Sequence, residues 1–322
     1  MKTSVALCTY NGQQFLKQQL DSILNQTHKV DEIVVCDDGS TDKTIEILEN
    51  YSANYPNTFY IYQNEINLRS VKNFEKAVKL CSGDIIFLSD QDDVWVDNKV
   101  EKYVDYFDKN PNIEVLASNG YCIDENSKVH DKYSIWDVPQ FLRDAKIKFD
   151  YYQIIALQFN ISTGSTMAFK KEIVSKTVPF PVIKDFHHDE WIALISSKNK
   201  NFELLNEKYY YYRIHSNQQV GGVFFDKSAE TKQRFLNLFD DKFTNYTFSA
   251  NKRLIKGLIY SYKKNELLAQ CGGDYSTYFE ENAKILKKEI IKMTQQLKDK
   301  FFLKYVLLRI TDKLLNKRQK PF

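Results

Sequence analysis

The most constraining feature of this 322-residue chain is a unit that repeats through its first third. A short β-prone run is followed by a helical pattern, and the pair recurs four times. The runs cover residues 4–8, 32–36, 58–63 and 85–88. The helical patterns cover residues 14–25, 41–50, 71–80 and 98–108. Such alternation predicts an α/β fold with a mostly parallel sheet covered on both faces. Within residues 41–50, Ser40 or Thr41 is expected as N-cap, with Asp42 in the first turn. In sheets of this kind ligands bind beyond the carboxyl ends of the strands. Three of the runs end there in polar residues: Thr9-Tyr10-Asn11, Asp37-Asp38-Gly39-Ser40 and Asp90-Gln91-Asp92-Asp93. Topology alone therefore predicts that they meet on one rim.

The remainder is less regular. Residues 124–160 are aromatic-rich and read as an insertion beside the rim. Residues 165–169 return to strand character, 188–196 to helix, and 209–214 to strand, followed by a polar loop at 215–222 that contains Gly221-Gly222. From about residue 228 the pattern is helical. Phe279, Ala283, Leu286, Ile290, Met293 and Leu297 form a stripe at steps of four and three. The expected division is a catalytic domain over 1–225 and a helical extension over 226–322.

Five scattered cysteines, Cys8, Cys36, Cys81, Cys122 and Cys271, show no zinc-ligand spacing and an odd count, which suits reduced buried thiols. The first residues enter a strand-like run without a signal-peptide h-region, and no apolar stretch approaches the ~20 residues of a membrane span. A cytoplasmic location is expected. The net charge of +3 conceals an asymmetry: residues 252–322 hold 17 Lys/Arg against 7 Asp/Glu. That tail suits solvated helix faces or contact with anionic lipid at the inner face of a membrane. Its apolar groups, Phe301-Phe302-Leu303, Val306-Leu307-Leu308 and Leu314-Leu315, interleave with Lys and Arg. No nucleic-acid module accompanies the charge. A homodimer is left open.

Asp90, Asp92 and Asp93 repel one another unless a cation is present, and hard oxygen ligands suit Mg²⁺ or Mn²⁺ completed by substrate phosphates. An acidic turn capping the next helix is the alternative. Asp37-Asp38-Gly39 is a turn signal or a nucleotide-base contact. In His187-His188-Asp189-Glu190-Trp191 a carboxylate either caps a helix or serves as a general base. Arg213 and His215 share one face of a strand, suited to phosphate and metal respectively, or lie on an ordinary polar strand end.

Together these segments resemble family 2 glycosyltransferases, inverting enzymes of the GT-A fold. The resemblance lies in Ser4-Val5-Ala6-Leu7-Cys8-Thr9-Tyr10-Asn11-Gly12, in Gln18 through Thr27, in Glu32 through Asp42, and in the DxD-like Phe87-Leu88-Ser89-Asp90-Gln91-Asp92-Asp93-Val94-Trp95. It spans about residues 3–222, and the last segment is similar to rhamnosyltransferase-like members. It implies a non-processive enzyme moving a sugar from a UDP- or dTDP-sugar to a glycan or lipid-linked acceptor, in bacterial surface polysaccharide synthesis. It further implies that Thr9, Tyr10, Asp37, Asp38 and Asp90 hold the nucleotide. Gly164, Ser165 and Arg213 would lie at the donor sugar and phosphates, Asp92 and His215 at Mn²⁺ or Mg²⁺, and Asp189 would be the base. The family's usual Glu-Asp is His188-Asp189 here, with Glu190 next. A sugar nucleotidyltransferase and a non-catalytic nucleotide-sugar binding protein are the alternatives. The former class places a Gly-rich basic loop after its first strand, and Thr9-Tyr10-Asn11-Gly12-Gln13 has no basic residue.

Overall fold

The computed structural model describes residues 1–216, 218, 221–239, 247–271 and 273–314, with side chains through residue 310. The chain runs β1 (Thr3–Thr9), α1 (Leu16–Leu24), β2 (Glu32–Asp37), α2 (Thr44–Asn54), β3 (Phe59–Gln63), α3 (Arg69–Leu80), β4 (Ile85–Ser89), β5 (Val94–Trp95) and α4 (Lys99–Lys109). It continues through β6 (Val115–Ile123), β7 (Val129–His130), β8 (Lys132–Ser134), α5 (Val138–Asp144), α6 (Tyr151–Gln153), β9 (Ala168–Lys170), α7 (Glu172–Thr177), α8 (His188–Lys198) and β10 (Phe202–Arg213). Then come β11 (Phe224–Asp226), α9 (Ala229–Leu236), α10 (Phe248–Cys271), α11 (Ser276–Lys300) and α12 (Phe302–Leu314). The chain forms two compact units. One comprises Met1–Tyr152 with Asn160–Gln233, and the other Gln153–Phe159 with Arg234–Phe322.

In the first unit a nine-stranded sheet has the order β3-β2-β1-β4-β9-β6-β10-β5, with β7 paired on β6. β3, β2, β1 and β4 are parallel, as are β6 and β10. β9 lies antiparallel between β4 and β6, so all six long strands point one way. β1, β2 and β4 are buried along almost their whole length, as expected of strands covered on both faces. Because β9 runs backwards, its entry point, not its exit, lies on the carboxyl-end rim. The turn Gly164–Thr166 immediately precedes it and is buried there.

One sequence reading is corrected, and one strand was not among the runs read. The second helix begins at Thr44 rather than near residue 41. The Asp42 carboxylate accepts from the Thr44 amide at 2.9 Å and hydroxyl at 2.5 Å, which holds Asp42 in the turn ahead of the helix. β6 was not anticipated, because Asn119-Gly120 reads as a turn. In the sheet, Gly120 is where Tyr210 crosses the neighbouring strand: a β-carbon at residue 120 would lie 2.4 Å from its ring. The glycine marks a close approach rather than a reversal.

In the second unit the six-residue stripe of α11 is buried, packing with Leu258 of α10 into a core of Leu286, Ile290 and Met293. A π-helical turn, Ile154–Gln158, joins it. Its spare carbonyls are capped by Lys264 at Ile155 (3.0 Å) and by Asn265 at Ala156 (2.8 Å). Among the described residues the cysteines are unpaired thiols, and no helix is long and apolar enough to cross a membrane.

A buried carboxylate fixes the start of the sheet opposite the rim. Glu32 accepts from the Ser4 hydroxyl (2.5 Å), the Ser82 amide (2.5 Å) and the Ser82 hydroxyl (2.7 Å). Burial pushes this carboxyl up, but those hydrogen bonds and Lys2 outweigh it and hold it at about 2. A depressed folded pKa gives stability that is complete above the unfolded value and is lost as pH falls toward 2. Glu32→Gln should therefore destabilise the fold by about 2 kcal/mol at pH 7 and by less at pH 3. Thermal melts at the two pH values check the sign and the trend.

Candidate active site

Three strand ends and one helix start meet at the rim. The turn after β2 is self-contained. Asp37 accepts from the Thr9 hydroxyl (2.7 Å), the Gly39 amide (3.1 Å), and the Ser40 amide (2.8 Å) and hydroxyl (2.5 Å). Gly39 supplies the positive φ of 85° that this turn requires. Asp38 accepts from the amides of Leu68 (2.7 Å) and Arg69 (2.8 Å) at the start of α3, and from Asn64 (2.8 Å). Both carboxylates are buried, and the hydrogen bonds they accept here come from the protein. Tyr10 is 44% exposed, so its ring is open to a ligand.

Gln91, which sequence reasoning passed over, ties the first loop to the acidic one. Its carboxamide accepts from the Tyr10 amide at 2.8 Å and donates to the Tyr10 carbonyl at 3.0 Å. A β-carbon on Gly12 would lie 2.2 Å from the Gln91 oxygen, so the glycine makes room for this tie.

The acidic loop is held from behind by β10. The Arg213 amide donates to the buried Asp93 carboxylate (2.8 Å), and its Nε donates to the Asp92 carbonyl (2.8 Å). The same guanidinium donates to the Asp124 carbonyl (3.0 Å), the Ser127 hydroxyl (3.0 Å) and Gln18 (2.6 Å), and lies 4.5 Å from the centre of the Phe15 ring. Arg213 is only 1% exposed, so its guanidinium faces protein. His215 packs its ring on Phe15 as well, and its Nε2 lies 2.9 Å from Asp92 Oδ2.

Asp90 is half-buried. Burial first, then the charges of Asp92 and Asp189, push its carboxyl up to about 7, while Ser165 and Lys99 pull it down. Asp189, in the first turn of α8, accepts from the Gly164 amide (2.9 Å) and the Glu190 amide (2.6 Å). Burial raises it to about 6 against the lowering effect of His187 and those amides. Asp90, Asp92 and Asp189 thus share one field although they come from two distant segments. Gly164 and Ser165 lie between them in sequence and beside them in space. Glu190 is buried, and Asp189 is the more exposed of the two.

Two further residues complete the site. Lys99, on the face of α4 that carries Tyr103, is fully buried. Its ammonium donates to the Ser165 carbonyl (2.7 Å) and sits 4.1 Å from the Trp95 ring centre. Desolvation pulls it down to about 7, against the attraction of Asp93 and Asp90. His188 stacks on Phe74 at 4.0 Å, and burial drives it to about 3, so it is neutral packing and no proton carrier near pH 7. Its Nε2 would meet a β-carbon on Gly164 at 3.0 Å. A charged residue on the apolar face of an otherwise amphipathic helix was the signal for Lys99.

Among the described residues no three His, Cys, Asp or Glu side chains converge on one metal-sized point. The Asp92–His215 pair offers two donors. That fits a divalent cation whose other ligands are phosphate and water oxygens, and Asp90 at about 7 is a carboxyl that a nearby cation would ionise.

The model for "Glycosyl transferase family 2" matches residues 4–177. The chain belongs to this family. The match includes the rim loops, the acidic loop and Gly164–Ser165, and stops short of Asp189, Arg213 and His215. This glycosyltransferase is 29% identical over 214 residues to an uncharacterized glycosyltransferase of Methanocaldococcus jannaschii, covering 66% of this chain and 70% of that one. It is 27% identical over 250 residues to the dTDP-rhamnosyl transferase RfbG of Shigella flexneri, covering 73% and 80%. Among solved structures it is similar to S. aureus TarS 1-349 in complex with UDP-GlcNAc. The TM-score is 0.55 with 18% identity over 92% of each chain, a likeness of fold. The sheet and helices are those of the GT-A fold.

Two outcomes follow for stability. A carboxyl raised in the folded state weakens the fold increasingly as pH rises from its unfolded value to its folded one. Asp90→Asn should therefore raise the melting temperature at pH 8, and by less at pH 5. A lower melting temperature for this variant at pH 8 would contradict the crowded-carboxylate picture. Arg213→Lys, which keeps the charge but loses the fork, should destabilise by roughly 2–4 kcal/mol. Amide hydrogen exchange over residues 90–95 should accelerate in that variant.

Proposed function

We propose that this glycosyltransferase moves a sugar from a nucleotide-diphosphate donor to an acceptor hydroxyl with inversion, assisted by Mn²⁺ or Mg²⁺. The observation that carries the reading is that two raised carboxyls share a rim: burial and the charges of Asp92 and Asp189 leave Asp90 at about 7, and burial leaves Asp189 at about 6. Two raised carboxyls in one site suit one to a cation or ligand and the other to proton transfer.

Asp92 and His215 would hold the divalent ion, which supplies charge neutralisation for a departing diphosphate. Tyr10, with Thr9 and the Asp37–Asp38 turn, would bound the nucleotide side, with Asp90 toward the ribose. Asp37 and Asp38 act by shaping the loops, since their oxygens hold protein amides and hydroxyls. Arg213 acts in the same way, by fixing the Asp92 carbonyl rather than reaching phosphate. Gly164 and Ser165 would lie beside the donor sugar.

Asp189 takes the acceptor proton as the acceptor oxygen bonds to the anomeric carbon. The bond from that carbon to the diphosphate oxygen breaks, and its electron pair leaves with the nucleotide. The Gly164 amide holds the carboxylate in place, and the start of α8 favours its ionised form. A dTDP-sugar donor agrees with the similarity to the dTDP-rhamnosyl transferase RfbG, and a UDP-sugar donor and a role in surface polysaccharide synthesis belong to the same proposal. A glycan or lipid-linked acceptor would complete the reaction.

A base titrating at about 6 must be ionised to act, so turnover should fall about tenfold per unit as pH drops below 6 and level off above it. Asp189→Asn should lower turnover about 10²–10⁴-fold, abolish that limb, and leave donor binding near normal. Asp92→Asn should lose the Mn²⁺-dependent thermal shift given by nucleotide diphosphates. Nucleotide release from a panel of nucleotide sugars, with calorimetric donor binding, measures the first two, and thermal melts with nucleotide diphosphates, with and without Mn²⁺, measure the third. Near-normal turnover of Asp189→Asn would remove the base assignment, and donor binding without any transfer would favour a binding protein.

A further inference from the structure

Helix α12 carries an apolar face that nothing among the described residues of its own unit covers. Phe302 is 57% exposed, Leu303 81%, Val306 38%, Leu307 62% and Ile310 50%. At 3.6 residues per turn these five fall within one arc of about 140°. Tyr305 and Leu308 lie on the opposite side and are less exposed. Lys304 and Arg309 fall at the two borders of the arc, where a long cationic side chain can extend beyond a buried stripe. Leu315 lies outside the described residues, as does the side chain of Leu314.

Five large apolar side chains in water on about two and a half turns of helix need an occupant. The charge identifies it. Residues 298–322 hold eight Lys/Arg and two Asp/Glu. A second copy of the chain would bring the same positive charge against itself, which opposes self-association through this face. An anionic lipid surface satisfies both features: its acyl boundary takes the stripe and its headgroups take the cations.

We propose that α12 lies in the interfacial plane of an anionic membrane, with Phe302, Leu303, Val306, Leu307 and Ile310 inserted and Lys304 and Arg309 at headgroup level. The site chemistry does not enter this inference, which stands or falls apart from it. Vesicle sedimentation of the full chain tests it, comparing phosphatidylcholine with mixed phosphatidylcholine–phosphatidylglycerol. The wild type should pellet with the mixed vesicles, remain soluble with neutral ones, and be released by high salt. The double variant Leu303→Glu/Leu307→Glu should bind at least tenfold more weakly. Both positions are exposed, so its circular dichroism and melting temperature should match the wild type. Equal binding by wild type and variant overturns the proposal, as does absence of wild-type binding to anionic vesicles. A concentration-dependent dimer in sedimentation velocity that the double variant abolishes would assign the face to a second copy and overturn it equally.

Discussion

The rim is organised around one buried guanidinium. Arg213 reaches the acidic loop, the turn after β6 and helix α1 with its N-cap Phe15, so three pieces of chain take their positions from one planar group. Each N–H bond it makes to a carbonyl or carboxamide has a defined direction, which a lysine ammonium cannot reproduce. The cost of burying this charge is offset by those acceptors and by the neighbouring carboxylates Asp93 and Asp92, which favour its charged form. The acidic loop is therefore held through the Asp92 carbonyl, the Asp93 carboxylate and the Gln91 carboxamide, which leaves the Asp90 and Asp92 carboxylates to the rim.

That freedom has an electrostatic consequence. Carboxylates packed this closely are held in conflict, and the fold relieves the conflict only partly. Lys99, caged by Trp95, Tyr103 and Tyr210 and bonded to the Ser165 carbonyl, brings a cationic group to Asp93 and Asp90. It is itself desolvated, so it moderates the field without cancelling it. Residual negative potential of this kind suits a site that receives a cation together with a phosphorylated ligand, and natural sites commonly carry such instability.

Much of this was legible in residue order. Strand–helix alternation in the first third predicted the parallel sheet, and its polar strand ends predicted which loops share a rim. The long-range partners were less visible. Gln18 and Gln19 sit in α1 beside the apolar Leu20 and look like solvent-facing polar residues. Yet Gln19 is buried, donating to the Ser89 hydroxyl (2.7 Å), and the exposed Gln18 accepts from the buried Arg213 guanidinium (2.6 Å). Gln91 between two aspartates reads as a spacer, because nothing local shows that its amide will match the Tyr10 peptide. β6 was hidden by an Asn-Gly pair whose glycine answers to a ring on another strand. Local patterns report periodicity and turns, whereas contacts across a hundred residues depend on a register that no window contains.

The reversed strand β9 has a further consequence. Parallel strands deliver functional groups through the loops that follow them, but β9 delivers Gly164 and Ser165 through the turn that precedes it. The segment from residue 124 to 167 consequently departs from the rim at the end of β6 and returns to that rim. A stretch tethered at both ends to one edge can gain or lose residues in the turns between its own elements without reordering the six long strands. Variation in its length is thus free to reshape what approaches the acidic loop while the scaffold beneath stays as it is.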